Sequence, residues 1–451
     1  SIDSFNSTQD VTQTYSIEDG GATLHLTGNT WKKIDFPYTV TANTVIEFDF
    51  ASSQQGEIHG IGFETDDVLS QELTVKLYGT QDWGLPDFDD YDTAPGYKHY
   101  VIPIGLLYTG AFDRLFFAMD DDADASGESV FSNVRVYDVE SIDFNNYNIE
   151  SFNSTHDVTQ TYSIEDGGVT LRLTGNTWKK INFPYTVTAN TVIEFDFASS
   201  QQGEIHGIGF ETDDVLSKEL TVKLYGTQDW GLPDFDDYDT APGYKHYVIP
   251  IGLLYTGAFD RLFFAMDDDA SASGESVFSN VRVYDVESID FNSYNIDSFN
   301  STQDVTQTYS IEDSGVTLQL TGNTWKKIDF PYTVTADTVL EFDFASSQQG
   351  EVHAIGFETD DVLSQELTVK LYGTQDWGLP DFDDYDTAPG YKHYVIPIGL
   401  LSTGAFDRLF CAMDDDADAS GDSVFSNVRV YEPAEEAIDL ASYSIDSYVP
   451  E

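Results

Sequence analysis

The chain has 451 residues, with 20 basic and 80 acidic side chains, and carries a formal net charge of −60 at pH 7. A field of this strength and sign repels nucleic acid and anionic membrane surfaces, so neither is expected as a partner. A hydrophobic content of 40%, including many aromatic residues, supplies enough apolar material for packed cores, so the acidity does not indicate a disordered tail.

The sequence consists of three tandem copies of one long segment. Trp31, Trp178 and Trp325 recur at a constant interval, and the residues around them are nearly unchanged from copy to copy. Each copy has the size of a whole domain, whereas solenoid units run to roughly 20 to 50 residues. We predict domains at 1–147, 148–294 and 295–441, followed by a C-terminal tail at 442–451 that resembles the start of another repeat.

Short β-strands are predicted along each copy. In chain order the first copy contains ATLHLT, TVIEFDF, IHGIGFE, LTVKLY, KHYVIPI, RLFFAM and VFSNVRVY, separated by Gly, Asn, Asp, Ser and Pro. Alternation places Ile46, Phe48 and Phe50 on one face of a strand and Glu47 and Asp49 on the other. We therefore predict an all-β protein of three tandem β-sandwich domains with jelly-roll topology.

Cysteine content and hydropathy indicate the state of the thiol and whether the chain enters a membrane. The single cysteine, Cys411, takes the position of Phe117 and Phe264 in the other copies, so we predict a buried and unreactive thiol. No apolar run approaches the ~20 residues of a membrane-spanning helix, and no membrane insertion is expected. The chain begins with Ser rather than Met, as in a processed secreted protein or an excised fragment, and we expect a secreted or cell-surface location.

Two acidic stretches are candidate metal sites. MDDDADASGES follows the RLFFAM strand and places carboxylates at alternate positions, as calcium loops do, but it lacks the glycine, the glutamate and the helices of an EF-hand. A solvated surface turn is the alternative for this stretch. GEIHGIGFETDD is a second acidic focus, whose His59 would suit a transition metal or, as the alternative, has a structural role. We predict calcium, with candidate ligands Glu57, Asp66, Asp67, Asp120, Asp121, Asp122 and Asp124 in the first copy, Glu204, Asp213, Asp214, Asp267, Asp268 and Asp269 in the second, and Glu351, Asp360, Asp361, Asp414, Asp415, Asp416 and Asp418 in the third.

A polar loop rich in aromatic residues, YGTQDWGLPDFDDYDTAPGYKHY, lies between two predicted strands. Sugar rings stack their C–H faces on aromatic planes and bind amide and carboxylate groups through their hydroxyls, and this loop contains both kinds of group. Packing of the same rings onto the sandwich is the alternative. The candidate carbohydrate-binding residues are Trp83, Phe88, Tyr91 and Tyr97, then Trp230, Phe235, Tyr238 and Tyr244, then Trp377, Phe382, Tyr385 and Tyr391.

An ordered series of segments in each copy resembles a known family. The series consists of GEIHGIGFETDDVLS, KLYGTQDWGLPDF, YKHYVIPIG, YTGAFDRLFFAMDDDADASG and FSNVRVY, and it covers most of each copy, about 23–137 in the first. It is similar to the β-sandwich carbohydrate-binding modules appended to polysaccharide-degrading enzymes of marine bacteria. The resemblance implies a jelly roll that binds polysaccharide, often with structural calcium, and that has no catalytic activity of its own.

Catalysis is not expected from the residues either. Jelly-roll glycosidases of the retaining type carry Glu-x-Asp-x-Glu or Glu-x-Asp-x-x-Glu, but here Glu47 and Asp49 are followed by Ala51 and Ser52. We predict binding of a neutral polysaccharide of the agarose or β-glucan type, because an acidic domain repels sulfated and uronate chains unless calcium bridges them. The alternative is an extracellular structural protein, an adhesin stalk or filament subunit, that self-associates head-to-tail through strand addition and calcium.

Overall fold

The computed structural model of the chain describes residues 2–6, 8–92, 96–239, 243–386 and 390–443, and the predicted all-β sandwich class is confirmed. The first copy contains β1 (Ile2–Ser4), β2 (Thr14–Glu18), β3 (Thr23–Thr27), β4 (Thr30–Val40), β5 (Thr44–Ala51), β6 (Ile58–Glu64), β7 (Val75–Tyr78), β8 (Lys98–Ile102), the single helical turn α1 (Ile104–Leu107), β9 (Gly110–Asp120) and β10 (Glu128–Asp138).

The other two copies repeat this order. The second contains β11 (Glu150–Ser151), β12 (Thr161–Glu165), β13 (Thr170–Thr174), β14 (Thr177–Val187), β15 (Thr191–Ala198), β16 (Ile205–Glu211), β17 (Val222–Tyr225), β18 (Lys245–Ile249), α2 (Ile251–Leu254), β19 (Gly257–Asp267) and β20 (Glu275–Asp285). The third contains β21 (Asp297–Ser298), β22 (Thr308–Glu312), β23 (Thr317–Thr321), β24 (Thr324–Val334), β25 (Val339–Ala345), β26 (Val352–Glu358), β27 (Thr368–Tyr372), β28 (Lys392–Ile396), α3 (Ile398–Leu401), β29 (Gly404–Asp414) and β30 (Asp422–Tyr431).

Each copy forms two five-stranded antiparallel sheets. In the first copy the strand orders are β1-β4-β9-β6-β7 and β2-β3-β10-β5-β8, and the second and third copies repeat both orders. Without the edge strands β1 and β2, the order is that of a jelly roll, in which eight strands alternate between two four-stranded sheets. Apart from the consecutive pairs β2–β3 and β6–β7, neighbouring strands in these sheets are not consecutive in the chain, so the fold depends largely on long-range pairing.

The hydrophobic core lies between the two sheets. Ile46, Phe48 and Phe50 of β5 are fully buried in it, as the alternation of the strand predicts. Asp49 on the opposite face is also buried, although alternation predicts only that it points away from this core. Its carboxylate is satisfied there, because it bonds to His99 Nδ1 over 2.9 Å and accepts a hydrogen bond from Asn133 Nδ2 over 3.0 Å.

A second, smaller apolar layer covers the other face of the sheet that contains β4 and β9. Phe5, Trp31 and Phe116 are buried in this outer layer, and Leu69 and Trp83 pack against it from two loops. Phe5 and Phe116 stack with ring centroids 4.4 Å apart. Alternation along β9 accounts for both layers, since its residues point in turn to the core and to the outer layer.

The contacts group the chain into two compact units. The first combines the described residues of 1–140, 241–244 and 433–451, and the second combines those of 141–240 and 245–432. The segment 141–147 therefore belongs to the compact unit of the second copy. The sequence analysis placed the domain boundary after residue 147. The predicted resemblance of the tail to another repeat concerns 444–448, which lies outside the described residues.

The single cysteine lies in the core. Cys411 is buried, and burial raises the pKa of its thiol well above the ordinary value, as expected of an inert core cysteine. Among the described residues, no helix has the length and apolar character needed to cross a membrane.

Candidate functional site

A cluster of three carboxylates forms in each copy where β6 and β9 meet. Antiparallel pairing sets Ile58 opposite Asp120, so Glu57, which precedes β6, lies beside the end of β9. One oxygen each of Glu57, Asp120 and Asp122 lies within 4.8 Å of the others. We call this set the carboxylate cluster, and its equivalents are Glu204, Asp267 and Asp269 in the second copy and Glu351, Asp414 and Asp416 in the third.

Hydrogen bonds hold the carboxylate cluster in place. Trp31 Nε1 donates to Asp120 Oδ1 over 3.0 Å, and the backbone N–H of Asp122 donates to Glu57 Oε2 over 2.7 Å. The side-chain amide of Asn29 donates to Asp122. The second and third copies make the same three contacts, so the arrangement is a property of the repeat.

The charges of the cluster are close together and partly removed from water. Burial, with the nearby charges of Asp122, Glu57 and Asp121, raises the pKa of Asp120 to about 6, against the opposing effect of the Trp31 hydrogen bond. Burial also raises the pKa values of Asp267 and Asp414. Carboxylates that repel each other in this way are stabilised when they share a cation.

The residues present fit a hard divalent cation such as calcium. Asn29 is only 3% exposed, and its Oδ1 has no hydrogen-bond partner, as is also true of Asn176 and Asn323. The oxygen and nitrogen of an amide exchange places by rotation about one bond, so this amide can present either atom beside Asp122. Calcium prefers carboxylate and amide oxygens, so the three carboxylates and a rotated Asn29 amide would supply part of its coordination shell.

Two predicted ligands shape the acidic turn instead of joining the cluster. Asp121 Oδ2 accepts hydrogen bonds from the backbone N–H groups of Ser126 and Gly127, at 2.7 and 2.8 Å. Asp124 is exposed and accepts from the backbone and the hydroxyl of Ser126. The corresponding residues Asp268, Asp415 and Asp418 occupy equivalent turn positions.

The second acidic focus, around Asp66 and Asp67, also lies apart from the cluster. Lys33 Nζ contacts both carboxylate oxygens of Asp67, at 2.6 and 2.7 Å, and the Arg114 guanidinium contacts it as well. Asp66 accepts a hydrogen bond from the backbone N–H of Val68 over 2.8 Å. The equivalent residues Asp213, Asp214, Asp360 and Asp361 make the same contacts.

His59, the histidine of the second acidic focus, has a structural role because both of its ring nitrogens are hydrogen-bonded within the core. It is fully buried, and its Nε2 accepts the backbone N–H of Gly56 over 2.9 Å. Its Nδ1 lies 2.8 Å from the Ser129 hydroxyl, and since Nε2 acts as acceptor, Nδ1 is the donor of the neutral ring. Burial lowers the pKa of His59 to about 3, so the ring stays neutral at ordinary pH.

The aromatic loop approaches the carboxylate cluster through one ring. Trp83 is half-buried and packs edge-to-face on Trp31, with ring centroids 6.3 Å apart. The backbone N–H of Gln81 donates to the Glu57 carbonyl over 3.0 Å, which ties the start of the loop to the cluster. Trp230 and Trp377 pack in the same way, with centroid distances of 6.2 and 6.1 Å to Trp178 and Trp325.

Two of the predicted carbohydrate-binding rings lie in the core. Phe88 and Tyr91 are each 6% exposed, and the Tyr91 hydroxyl accepts the backbone N–H of Ser52 over 3.0 Å. The equivalent rings Phe235, Tyr238, Phe382 and Tyr385 are buried as well. Their location matches the packing alternative, because the loop folds back and its middle section becomes part of the sandwich.

The last predicted ring of the loop contacts the core of the preceding copy in the second and third copies. Tyr97 is half-buried. In the first compact unit Tyr244 packs against the core of the first copy, and in the second unit Tyr391 packs against the core of the second copy. Trp83 and its equivalents are therefore the predicted rings whose position best suits contact with a ligand.

Sequence reasoning missed the residues that join the cluster to the loop. Trp31 and Asn29 belong to the run GNTW, which recurs unchanged in all three copies. Its first two residues precede strand β4 or its equivalent, and its last two are the first residues of that strand. The second copy also places His156 where the first has Gln9, and His156 Nδ1 lies 3.9 Å from Asp267 Oδ1. The available signal was an asparagine that precedes one strand and a tryptophan at the second position of that strand in all three copies.

Comparisons with known proteins add little. No protein-family model matches the sequence, and no curated protein sequence matches it. Similar solved structures include the glycoside hydrolase domain of Endo-D from Streptococcus pneumoniae (10% identity, TM-score 0.19, covering 62% of this chain and 36% of that one). Others are the ANXUR2 extracellular domain from Arabidopsis thaliana (9%, 0.19, 66% and 92%) and the cycloalternan-forming enzyme from Listeria monocytogenes in complex with a pentasaccharide (10%, 0.16, 84% and 28%). TM-scores this low carry no argument about function.

Proposed function

We propose that each copy binds a calcium ion at its carboxylate cluster, and that the three copies together bind a neutral polysaccharide without cleaving it. The observation that carries the proposal is the position of Trp31, which donates to Asp120 and supports the half-exposed ring of Trp83. One buried indole thus contacts both the carboxylate cluster and the ring of Trp83.

The cation is supported by the charge and the donors of the cluster. Asp120 is buried beside two other carboxylates, and its raised pKa reflects burial and their repulsion. The Oδ1 of Asn29 has no hydrogen-bond partner, and rotation of the amide would bring it beside Asp122 as a further hard oxygen. A calcium ion held by Glu57, Asp120 and Asp122 would neutralise part of this charge and would supply a centre for further oxygen ligands.

The polysaccharide is supported by the loop and by the net charge. A half-exposed tryptophan offers a flat apolar face for the C–H face of a sugar ring. The strongly acidic protein repels sulfated and uronate polymers, which favours a neutral chain of the agarose or β-glucan type. A neutral polymer of this kind is also consistent with the expected secreted or cell-surface location.

Binding without catalysis is supported by the engagement of the strand carboxylates that resemble a glycosidase motif. Glu47 accepts the Tyr137 hydroxyl over 2.5 Å. Asp49 is buried in its contacts with His99 and Asn133. Carboxylates held in this way have structural partners in place of a substrate.

Three copies suit a weak binder of a repetitive polymer. Once one copy binds, linkage raises the effective concentration of the others, and avidity can exceed the single-site affinity by about 10² to 10⁴. We therefore expect the intact chain to bind polymers well and to bind short oligosaccharides weakly.

Affinity electrophoresis in gels containing agarose or a soluble β-glucan tests the proposal. We expect calcium-dependent retardation of the full chain, lost in chelator and lost when Trp83, Trp230 and Trp377 are all replaced by Ala. The matched control replaces the exposed loop residues Val68, Val215 and Val362 by Ala and should migrate as the wild type does. Unretarded migration of the folded wild-type chain in every neutral polysaccharide, with calcium present, would contradict the proposal.

A further inference from the structure

The segments that lead into the second and third copies dock on those copies in the same way. In the second compact unit, the backbone N–H of Ile142 donates to the Val281 carbonyl over 2.7 Å, and Phe144 is buried in the core of the second copy. Ile289 makes the same bond to Val428, also over 2.7 Å, and Phe291 is 1% exposed. This docking is therefore defined by a backbone hydrogen bond that an isoleucine donates and by a buried phenylalanine two residues later.

The first copy carries the same docking, but the segment comes from the C-terminal part of the chain. Within the first compact unit, the backbone N–H of Ile438 donates to the Val134 carbonyl over 2.7 Å. Leu440 is fully buried in the core of the first copy, where the other junctions have phenylalanine. Arg135 Nε also donates to the Glu435 carbonyl over 2.9 Å.

The receiving surface is shaped for this segment. Gly21 has φ of +116°, and a side chain there would collide with Asp439 and lie 3.1 Å from the Ala441 side chain. Asp439 Oδ1 caps the short 3₁₀ turn Leu440–Ser442 by accepting the Ala441 backbone N–H over 3.0 Å. Gly168 meets Asp143, and Gly315 meets Asp290, at the other two junctions.

We propose that this surface of the first copy is also a docking site for the C-terminal segment of a second copy of the chain, which replaces the chain's own segment. The exchanged contacts are identical, so the balance between the two arrangements depends on protein concentration. A tethered segment has an effective concentration of roughly millimolar, and exchange becomes appreciable near that concentration.

This association is head-to-tail, because the segment of one chain meets the first copy of the next. Such heterologous contacts give closed rings or open chains, according to whether the rotation closes. The docking uses one backbone hydrogen bond and buried anchors, so it differs from the addition of a complete strand to a sheet edge.

Light scattering after size-exclusion chromatography of the full chain, incubated at about 1 mM and then diluted, tests the proposal at the concentration set by the tether. We expect dimers and larger species for the wild type and for Leu440→Phe, which restores the residue of the other junctions. Leu440→Asp and Ile438→Pro should lower the associated fraction at least tenfold. Val362→Asp, a charge introduced at an exposed valine, is the control and should associate as the wild type does.

Two outcomes would overturn the proposal. The first is a wild-type chain that stays monomeric throughout, and the second is an unchanged associated fraction in both Leu440→Asp and Ile438→Pro. Circular dichroism of each variant checks that the sandwiches remain folded. Running each sample with calcium and with chelator separates this association from the proposed cation site, since no residue of the carboxylate cluster takes part in the docking.

Discussion

Trp83 packs edge-to-face on Trp31, with ring centroids 6.3 Å apart and ring planes at 78°. The indole N–H of Trp31 donates at the same time to Asp120. A half-exposed ring and a carboxylate cluster that are far apart in the sequence thus share one buried support. We expect changes at Trp31 to affect both cation binding and ligand binding, whereas changes at Trp83 should affect ligand binding alone.

Replacement of Trp83 or of Phe88 by Ala should separate the surface ring from the core ring. Phe88 is buried, so Phe88→Ala should lower the free energy of unfolding of its copy by about 3–5 kcal/mol. Trp83→Ala should lower it by less than half as much, because part of the ring is already in water. Denaturant titration of chains changed equivalently in all three copies measures both values, and equal losses would place Trp83 in the core.

The buried ion pair between Asp10 and Lys32 should contribute strongly to folding. Lys32 Nζ lies 2.6 Å from Asp10 Oδ2, and Asp10 Oδ1 also accepts the Trp31 backbone N–H over 3.1 Å. Asp10→Ala leaves a buried ammonium unpaired, so we expect a loss of about 3–5 kcal/mol in the free energy of unfolding.

Asp113→Ala is the control for this ion pair. Asp113 pairs with Arg114 at the surface, with 59% of its side chain exposed, and its loss should change the free energy of unfolding by less than about 1 kcal/mol. Similar losses of unfolding free energy in Asp10→Ala and Asp113→Ala would show that the buried pair stabilises the fold no more than the surface pair does.

His246 should make stability depend on pH in the alkaline range. Burial alone would lower the pKa of His246, but hydrogen bonds and charges from Asp196 and Glu194 outweigh it and raise the pKa to about 9. The unfolded chain has the ordinary value of 6.5, so the stabilisation is fully present below pH 6.5 and is lost as pH rises through about 9.

Thermal melts of the wild type and of His246→Gln at several pH values measure this contribution. The difference in melting temperature between the two proteins should be largest near pH 6 and should shrink up to about pH 9. A difference that stays constant from pH 6 to pH 10 would contradict the charged state assigned to His246.

Much of the fold was predictable because its signals are local and repeated. The alternation in TVIEFDF indicated which residues of β5 enter the core, and Phe48 and Phe50 are buried as predicted. The burial of Asp49 was not predictable, because it depends on His99 and Asn133, which approach from other strands. Alternation along a strand predicts to which face each side chain points, whereas burial of the polar face depends on strands that are distant in sequence.

The candidate site was predictable only in part, for the same reason. Glu57, Asp120 and Asp122 were among the predicted ligands, but their selection from the other acidic residues depends on the register of β6 against β9. In the same way, the composition of the aromatic loop could not distinguish Trp83 from Phe88. That difference depends on how the loop folds back onto the sandwich.

Calorimetric titration of the calcium-free full chain with calcium tests the central claim most directly. We predict three sites per chain, one for each carboxylate cluster, and two sites in Asp120→Asn. Asp124→Asn, which changes an exposed aspartate of the adjacent turn, should keep all three. A wild-type chain that binds no calcium, or an Asp120→Asn chain that still binds three ions, would contradict the account.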